Sequence, residues 1–352
     1  MAINKLYLNH IFLLPLHTDH QNFQTTSGAG KLVTAPAGAE AARLAIVPKS
    51  NSYAVVEGHD SGLVWPTGDS SGFDADCPLL DLTGSDRQLT LVSNDDSMVF
   101  VDWYRFNAIS YNVGAVTFDG STTYLSKTGD LDGAVDSPKM FAAFWVKKNG
   151  NDNNFQFFLA DYDLDITIAC TPDNNIRVDV TDTNGNIFYG DTTDTFTISN
   201  PFTLIMVSVD ITNFGTPIVH VTFNDTVMAF TPILNNLDTG VIEFTNRAGW
   251  RIGAGNGGNN KFDGDMSMAF FKIGVAPDLS DVTFRRKFID VTGLPVNLGA
   301  NGELPFGEAP DIYMTQLATD TVAANFAVNL GTGGDFDITG ALTLSTASPT
   351  NQ

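Results

Sequence analysis

Short apolar runs of strand length alternate along the chain with clusters of Asn, Asp, Gly and Pro. Residues 140–146, MFAAFWV, are almost wholly apolar, which suits a central strand covered on both faces. Phe155–Asp161, Ile166–Cys170 and Ile176–Val180 follow as a meander, with turns at 173–175 and 182–186. Phe202–Ile211 and Ile218–Phe223 predict a hairpin. Val241–Phe244 and Trp250–Gly253 predict two more strands, and Phe262–Ile273 a strand that returns antiparallel beside the first. Upstream, Ala41–Val47, Tyr53–Glu57, Leu79–Leu82, Gln88–Val92 and Met98–Tyr104 predict a small β domain. One helix is expected, over Asp278–Asp290. Asp278 or Ser280 would cap it, Lys287 complements its dipole, and Gly293 with Pro295 stops it. The pattern predicts an all-β chain: an arm at 1–30, a small β-sandwich at 31–107, a larger β-sandwich at 108–275, and an extension at 276–352 packed on it.

Composition sharpens this. The 352 residues carry a formal net charge of -22. The acids are mostly Asp; the glutamates are Glu40, Glu57, Glu243, Glu303 and Glu308 alone. Asp favours turns and Glu favours helices, so the skew agrees with an all-β fold. A surface this negative repels nucleic acid, which excludes a DNA or RNA partner. Cys77 and Cys170 fall in different predicted domains and read as buried free thiols. Leu6–Leu16 is apolar, but Asn9, His10 and Pro15 interrupt it, and it reads as an arm or strand. No run reaches the length of a membrane helix, so no membrane insertion is expected.

Several motifs resemble known families. FDGSTTYL at 118–125, the Asn224-Asp225 turn, Ile252-Gly253-Ala254 and FDGDM at 262–266 resemble the strands of laminin-G-like (concanavalin-A-like) jelly rolls. PAGAEAAR at 36–43, GLVWPTG at 62–68 and the strand through Trp103, Tyr104 and Arg105 are similar to small β domains of tailed-phage virion proteins. Downstream, RRKF at 285–288, GLPVNLGANG at 293–302, NLGTGGDFDITG at 329–340 and Ser348-Pro349 resemble the tail that follows laminin-G-like domains in phage virion proteins. The resemblance implies a structural protein of a tailed bacteriophage particle. It would assemble in the bacterial cytoplasm, attach to other capsid or tail proteins through its N-terminal part and display the lectin-like domain outward. A homo-oligomer is expected, with a trimer as the first guess. Surface decoration, head fibre and tail fibre stay open. So does the alternative, a carbohydrate-binding adhesin that recognises a host surface glycan.

Candidate chemistry is sparse. Glucanases of this fold cleave with paired glutamates on one strand, a spacing the five glutamates do not provide, so no enzyme is expected. Asp161, Asp163 and Asp165 alternate and would share one face of a strand. Laminin-G-like domains hold calcium at a sandwich rim, which makes Asp161, Asp163, Asp263 and Asp265 the calcium candidates. The other reading of these residues is a solvated acidic edge. His10, His17 and His20 match no standard metal-ligand spacing. Trp103 and Trp145 sit in apolar runs and read as core. Trp65 beside Pro66, Trp250 before the Gly/Asn-rich loop, and Asn256, Asn259 and Asn260 in that loop are the sugar-contact candidates.

Overall fold

The structure is a computed structural model that describes residues 112–351 in full and, of residues 1–111, the backbone of nine strands. Two compact units divide the chain, Met1–Ile109 and Ser110–Gln352. In the first, the strands are β1 (Leu13–Pro15), β2 (Gln21–Thr25), β3 (Lys31–Thr34), β4 (Ala41–Pro48), β5 (Ala54–Glu57), β6 (Val64–Trp65), β7 (Leu79–Asp81), β8 (Gln88–Ser93) and β9 (Ser97–Phe106). They form two sheets. One runs β1-β9-β4-β7, with β2 also on β9, and the other runs β3-β8-β5-β6. The stretch read as an arm therefore contributes β1 and β2, both antiparallel to β9. Cys77, the three upstream histidines and the side chain of Trp103 lie outside the described residues.

The second unit begins its sandwich with β10 (Val116–Asp119), β11 (Tyr124–Thr128), β12 (Lys139–Lys148), β13 (Gln156–Asp161), β14 (Ile166–Cys170) and β15 (Asn175–Thr181). It continues with β16 (Ile187–Thr195), β17 (Thr203–Asp210), β18 (Ile218–Phe223), β19 (Thr226–Met228), β20 (Phe230–Asn235), β21 (Gly249–Ile252) and β22 (Asp263–Ile273). Beyond come the helix α1 (Val282–Arg285) and the strands β23 (Ile312–Thr315), β24 (Asp337–Thr339) and β25 (Thr343–Leu344).

The first sheet of this unit runs β19-β18-β17-β12-β22-β10-β25. The long β22 pairs with β12 on one side. On the other it pairs with β10 through Asp263–Met266 and with β23 through Met268–Phe271. The second sheet runs β20-β16-β15-β14-β13-β21-β11-β24. Both sheets are antiparallel, and the fold is a jelly-roll sandwich. Asn supplies the turns: Asn174, Asn224 and Asn246 take positive φ, which Asn tolerates better than other side chains that carry a Cβ.

Strand alternation decides what the sandwich buries. Met140, Ala142, Phe144 and Val146 of β12 point inward, against Phe158, Ile168, Val178 and Phe188 of the second sheet. Phe141, Ala143 and Trp145 point the other way and are equally buried. Their cover is the C-terminal segment, which lays Leu279, Phe288, Ile289, Leu298 and Tyr313 on that outer face. Phe141 meets Phe270, Phe284, Phe288 and Phe306 at centroid distances of 5.1–5.9 Å. Aromatic pairs at such spacings add to the apolar area they bury. The same segment feeds β23 and β25 into the first sheet and β24 into the second.

Three expectations need correction. The helix is four residues, not thirteen, and Asp281 rather than Asp278 or Ser280 caps it, accepting from the Thr283 N–H. Asp278 instead closes a local turn onto Ser280. Past Arg286 the Lys287 and Phe288 N–H groups turn to i→i+3 carbonyls, and Ile289, after one more i→i+4 bond to Arg285, bridges Pro295, so the helix does not continue. Val241–Phe244 is no strand; Ile242 alone makes bridges, to Ser137 and Asp182. Asp163 and Asp165 are not on a strand face either, because β13 ends at Asp161 and β14 starts at Ile166.

Candidate carbohydrate-binding face

The C-terminal cover seals the outer face of the first sheet. Among the described residues the outer face of the second sheet carries no such layer, and it sets polar and aromatic side chains in two rows. Along one row, Ser126, Arg251, Ala160, Thr167, Asp179 and Tyr189 are successive cross-strand partners. Along the next, Phe157, Ala169, Arg177 and Asp191 are. At ~4.8 Å per strand, the first row spans about 24 Å.

Small residues floor the middle, and large ones flank it. Ala160 and Ala169 lie under Phe157, with Phe155 packed against the same cluster. On one side, the Arg251 guanidinium lies 3.6 Å from the centroid of the Tyr162 ring and donates to the Gly255 carbonyl at 3.2 Å. On the other, Arg177 sits 4.9 Å from the Tyr189 ring and 5.6 Å from Phe155. It also grips Asp191 with two bonds of 2.7 and 2.8 Å. A planar guanidinium bound this way fixes both the carboxylate and the ring beside it. Tyr162, Tyr189 and Phe155 are each half-buried, so these rings remain partly open to solvent.

Asp179 stands between these walls and accepts a bond from the Thr167 hydroxyl. Burial pushes its carboxyl up to about 6, and the Asp191 charge adds to this, while Thr167 and Arg177 pull it down. The face thus holds one acid that titrates near physiological pH. The loop with Asn256, Asn259 and Asn260 borders it at the β21 end. All three side chains are exposed, and Gly255 and Gly258 lie so close to Phe157 and Tyr124 that a Cβ at either would sit 2.8–2.9 Å from a ring atom. Trp250 drops out of the sugar-contact set. It is fully buried and packs on Phe271 at 5.6 Å, because it shares the inward parity of Ile252 on β21. Trp65 falls on β6, and its side chain lies outside the described residues.

The four calcium candidates do not come together. Gln156, at one end of β13, accepts from the Asp263 N–H at 2.9 Å, whereas Asp161 is at the other end. The two pairs are about 16 Å apart along that strand. Carboxylate oxygens of Asp161, Asp163 and Asp165 do lie within 4.8 Å of one another. Yet Arg247 is already inserted there. It donates to Asp161 at 3.2 Å, to Asp165, and to Glu243 at 2.8 Å. The other Asp161 oxygen accepts from the Ile166 N–H. A guanidinium occupies the place of the cation, so this set does not fit calcium. Asp263 differs. Burial raises its carboxyl, and the charges of Asp119 and Asp265 raise it further, with Lys148 as the compensating cation. Its Oδ2 accepts from Asn151 at 3.0 Å, and Asp265 accepts from Thr117 at 2.6 Å. A divalent ion here would relieve the repulsion between Asp263 and Asp265 only, since the Asp119 carboxylate is already taken by the Ser121, Thr122 and Thr123 N–H groups and the Thr122 hydroxyl.

Arg177, Asp179, Tyr189, Tyr162 and Arg251 escape a reading of the sequence. The alternation in Ile176–Val180 marks Arg177 and Asp179 as outward-facing, but only the strand order sets them beside Tyr189 and Asp191. A cavity of about 300 Å³ beside β24, lined by Ala327, Val328, Phe336 and Ile338 among others, lies on a different edge of the sandwich.

No family model and no curated protein matches the chain. Among solved structures, a candidate carbohydrate-binding protein from Bacteroides ovatus is 11% identical, with a TM-score of 0.47, over 94% of this chain and 93% of that one. A heptameric SAP-like pentraxin from Limulus polyphemus is 10% identical, with a TM-score of 0.37, over 68% of this chain and 97% of that one. Domains LG4-5 of the mouse laminin alpha1 chain are 11% identical, with a TM-score of 0.34, over 76% of this chain and 94% of theirs.

Proposed function

We propose that this is a structural protein of a tailed-phage particle whose sandwich binds a carbohydrate on the outer face of the second sheet. The observation that carries the binding reading is the asymmetry of the sandwich. One outer face is covered by Phe284, Phe288 and Phe306, while the other presents Tyr162 and Tyr189 with arginines fixed against them. Rings held in place offer apolar faces to sugar C–H groups, and Arg177, Asp179 and Asp191 offer directed donors and acceptors. Attachment to the particle through the N-terminal unit rests on the sequence resemblance. The binding is non-catalytic in this reading: Asp191 is held by Arg177 and Asp179 by Thr167, which leaves no free carboxylate pair on the face.

Calcium belongs to this reading only at Asp263 and Asp265. A melting temperature that rises with added calcium and falls on chelation supports that site; an unchanged one removes it. Particle attachment is tested by gold-labelled antibody on purified virions. Label on heads or tails supports the reading, and virions without label contradict it. For the binding face, the full chain on a glycan array should bind at least one glycan, and Tyr189→Ala should weaken that binding about tenfold or more.

A further inference from the structure

Lys148 holds the last inward-facing position of β12, in register with Met140, Ala142, Phe144 and Val146, and its side chain is fully buried. An amine at a core position needs partners. Its Nζ donates to the Asn174 Oδ1 at 2.7 Å, lies 2.6 Å from the Asp152 Oδ1 and approaches the Cys170 Sγ at 3.6 Å. Each partner is held independently. The second oxygen of Asp152 accepts from the Ile198 N–H at 3.3 Å. Asn174 sits at φ 64, with its N–H on the Thr171 carbonyl and its own carbonyl taken by the Phe196 N–H. The Cys170 thiol is pushed up to about 11 by burial, so it stays protonated, and it points to the Phe196 carbonyl at 3.5 Å. Phe196 packs in turn on Phe158 and Phe223.

We propose that Lys148 and Asn174 join through an intramolecular isopeptide bond, with Asp152 as the proton carrier. The amide C=O is ~1.23 Å long, so a 2.7 Å contact on oxygen puts Nζ between about 3.0 and 3.9 Å from Cγ. That overlaps the range in which bound groups react. The Asp152 carboxylate takes one proton from the ammonium, and the neutral amine attacks the Asn174 Cγ. Asp152 returns that proton to the departing Nδ2 and takes a second one from the attacking nitrogen, the C–N bond to Nδ2 breaks, and ammonia leaves with the second proton as ammonium. One ammonium and one primary amide become one secondary amide and one ammonium ion, with no change of oxidation state and no co-reactant. The ion pair that burial makes costly becomes a neutral pair at the first step. The product ties the end of β12, in the first sheet, to the β14–β15 turn of the second, closing a loop between residues 26 apart.

The test is mass spectrometry of the full chain. The intact mass should fall about 17 Da below that of the sequence, the mass of one ammonia. A succinimide at an Asn-Gly pair would shift the mass equally, so digestion decides. Chymotrypsin cuts between the two residues, at Phe155, Phe157 and Phe158. The peptides carrying Lys148 and Asn174 should nevertheless stay joined, and Lys148 should resist acylation in the unfolded chain. Separate peptides, or a freely acylated Lys148, overturn the proposal. Asp152→Ala should leave the peptides separate, and a fully linked Asp152→Ala protein overturns the role given to Asp152. Asn174→Gly, which keeps the positive φ, should melt about 10 °C lower than the linked protein.

Discussion

Leu164 takes φ 65, a conformation that costs a residue with a Cβ about 1 kcal/mol, and it does so in the turn that carries Asp161, Asp163 and Asp165. The other positive-φ positions among the described residues, glycines aside, are all Asn. Leu164→Gly should therefore stabilise the protein by about 1 kcal/mol in denaturant unfolding, unless the strain holds Asp161 and Asp165 on Arg247. Asp179 yields a second prediction. Its folded carboxyl releases its proton near 6, while the unfolded one does so near 3.8. The native state thus holds the extra proton between those values, and stability falls as pH rises through that window, by about 3 kcal/mol at most. Asp179→Asn should flatten this slope and raise stability at pH 7. Asp182 runs the other way. Burial opposes its ionisation, but the N–H groups of Asp238, Asn186, Thr239 and Asn184 hold it down to about 2. Its contribution is complete above 3.8 and is lost as pH falls towards 2, so Asp182→Asn should remove part of the acid-unfolding slope. The shifts were not visible in the sequence, because Asp179 meets Thr167 and Asp191 only through the pairing of β14, β15 and β16, and Asp182 draws Asp238 and Thr239 from a distant loop.

The C-terminal segment shows what pattern reading catches and misses at the level of elements. Near-continuous apolar runs located β12, β17 and β22 well, since both their faces are buried. The pattern missed β16 and β20, which carry Gly190, Asp191 and Pro232 on a half-solvated edge, where apolar periodicity is weak. The thirteen-residue helix is expected from its end signals, Asp278 or Ser280 as cap, Lys287 near the C-terminal end, and Gly293 with Pro295 as stop. Asp278 and Ser280 serve a turn instead, and Phe284 and Phe288 of this stretch pack on Phe141 and Phe270 without a long helix. Covering the first sheet in this way makes the segment part of the sandwich core. Phe141→Ala should cost about 3–5 kcal/mol, measured by denaturant midpoint, because one truncation loosens Phe284, Phe288 and Phe306 together. Deleting residues 276–352 should leave an insoluble chain, since it strips three strands from the sheets as well as their cover.

Over the whole molecule, the all-β class and the sandwich were legible from turn residues and strand-length apolar runs. The face proposed for binding was not. Trp250 precedes a Gly/Asn-rich loop, yet its parity with Ile252 turns it into the core. The half-buried aromatics of this face, Tyr162, Tyr189 and Phe155, come from segments remote in sequence, and only the strand order of the second sheet sets them on one face. With a net charge of -22, the chain offers little general attraction for an acidic polymer, so the fixed arginines and rings must supply the affinity. The central claim is that this face binds glycan, and calorimetric titration of one array-positive glycan into the full chain tests it most directly. Wild type should bind, and Tyr162→Ala/Tyr189→Ala, with its melting temperature preserved, should lose binding by about a hundredfold. Equal affinity in the folded double variant would contradict the account and place recognition elsewhere on the molecule.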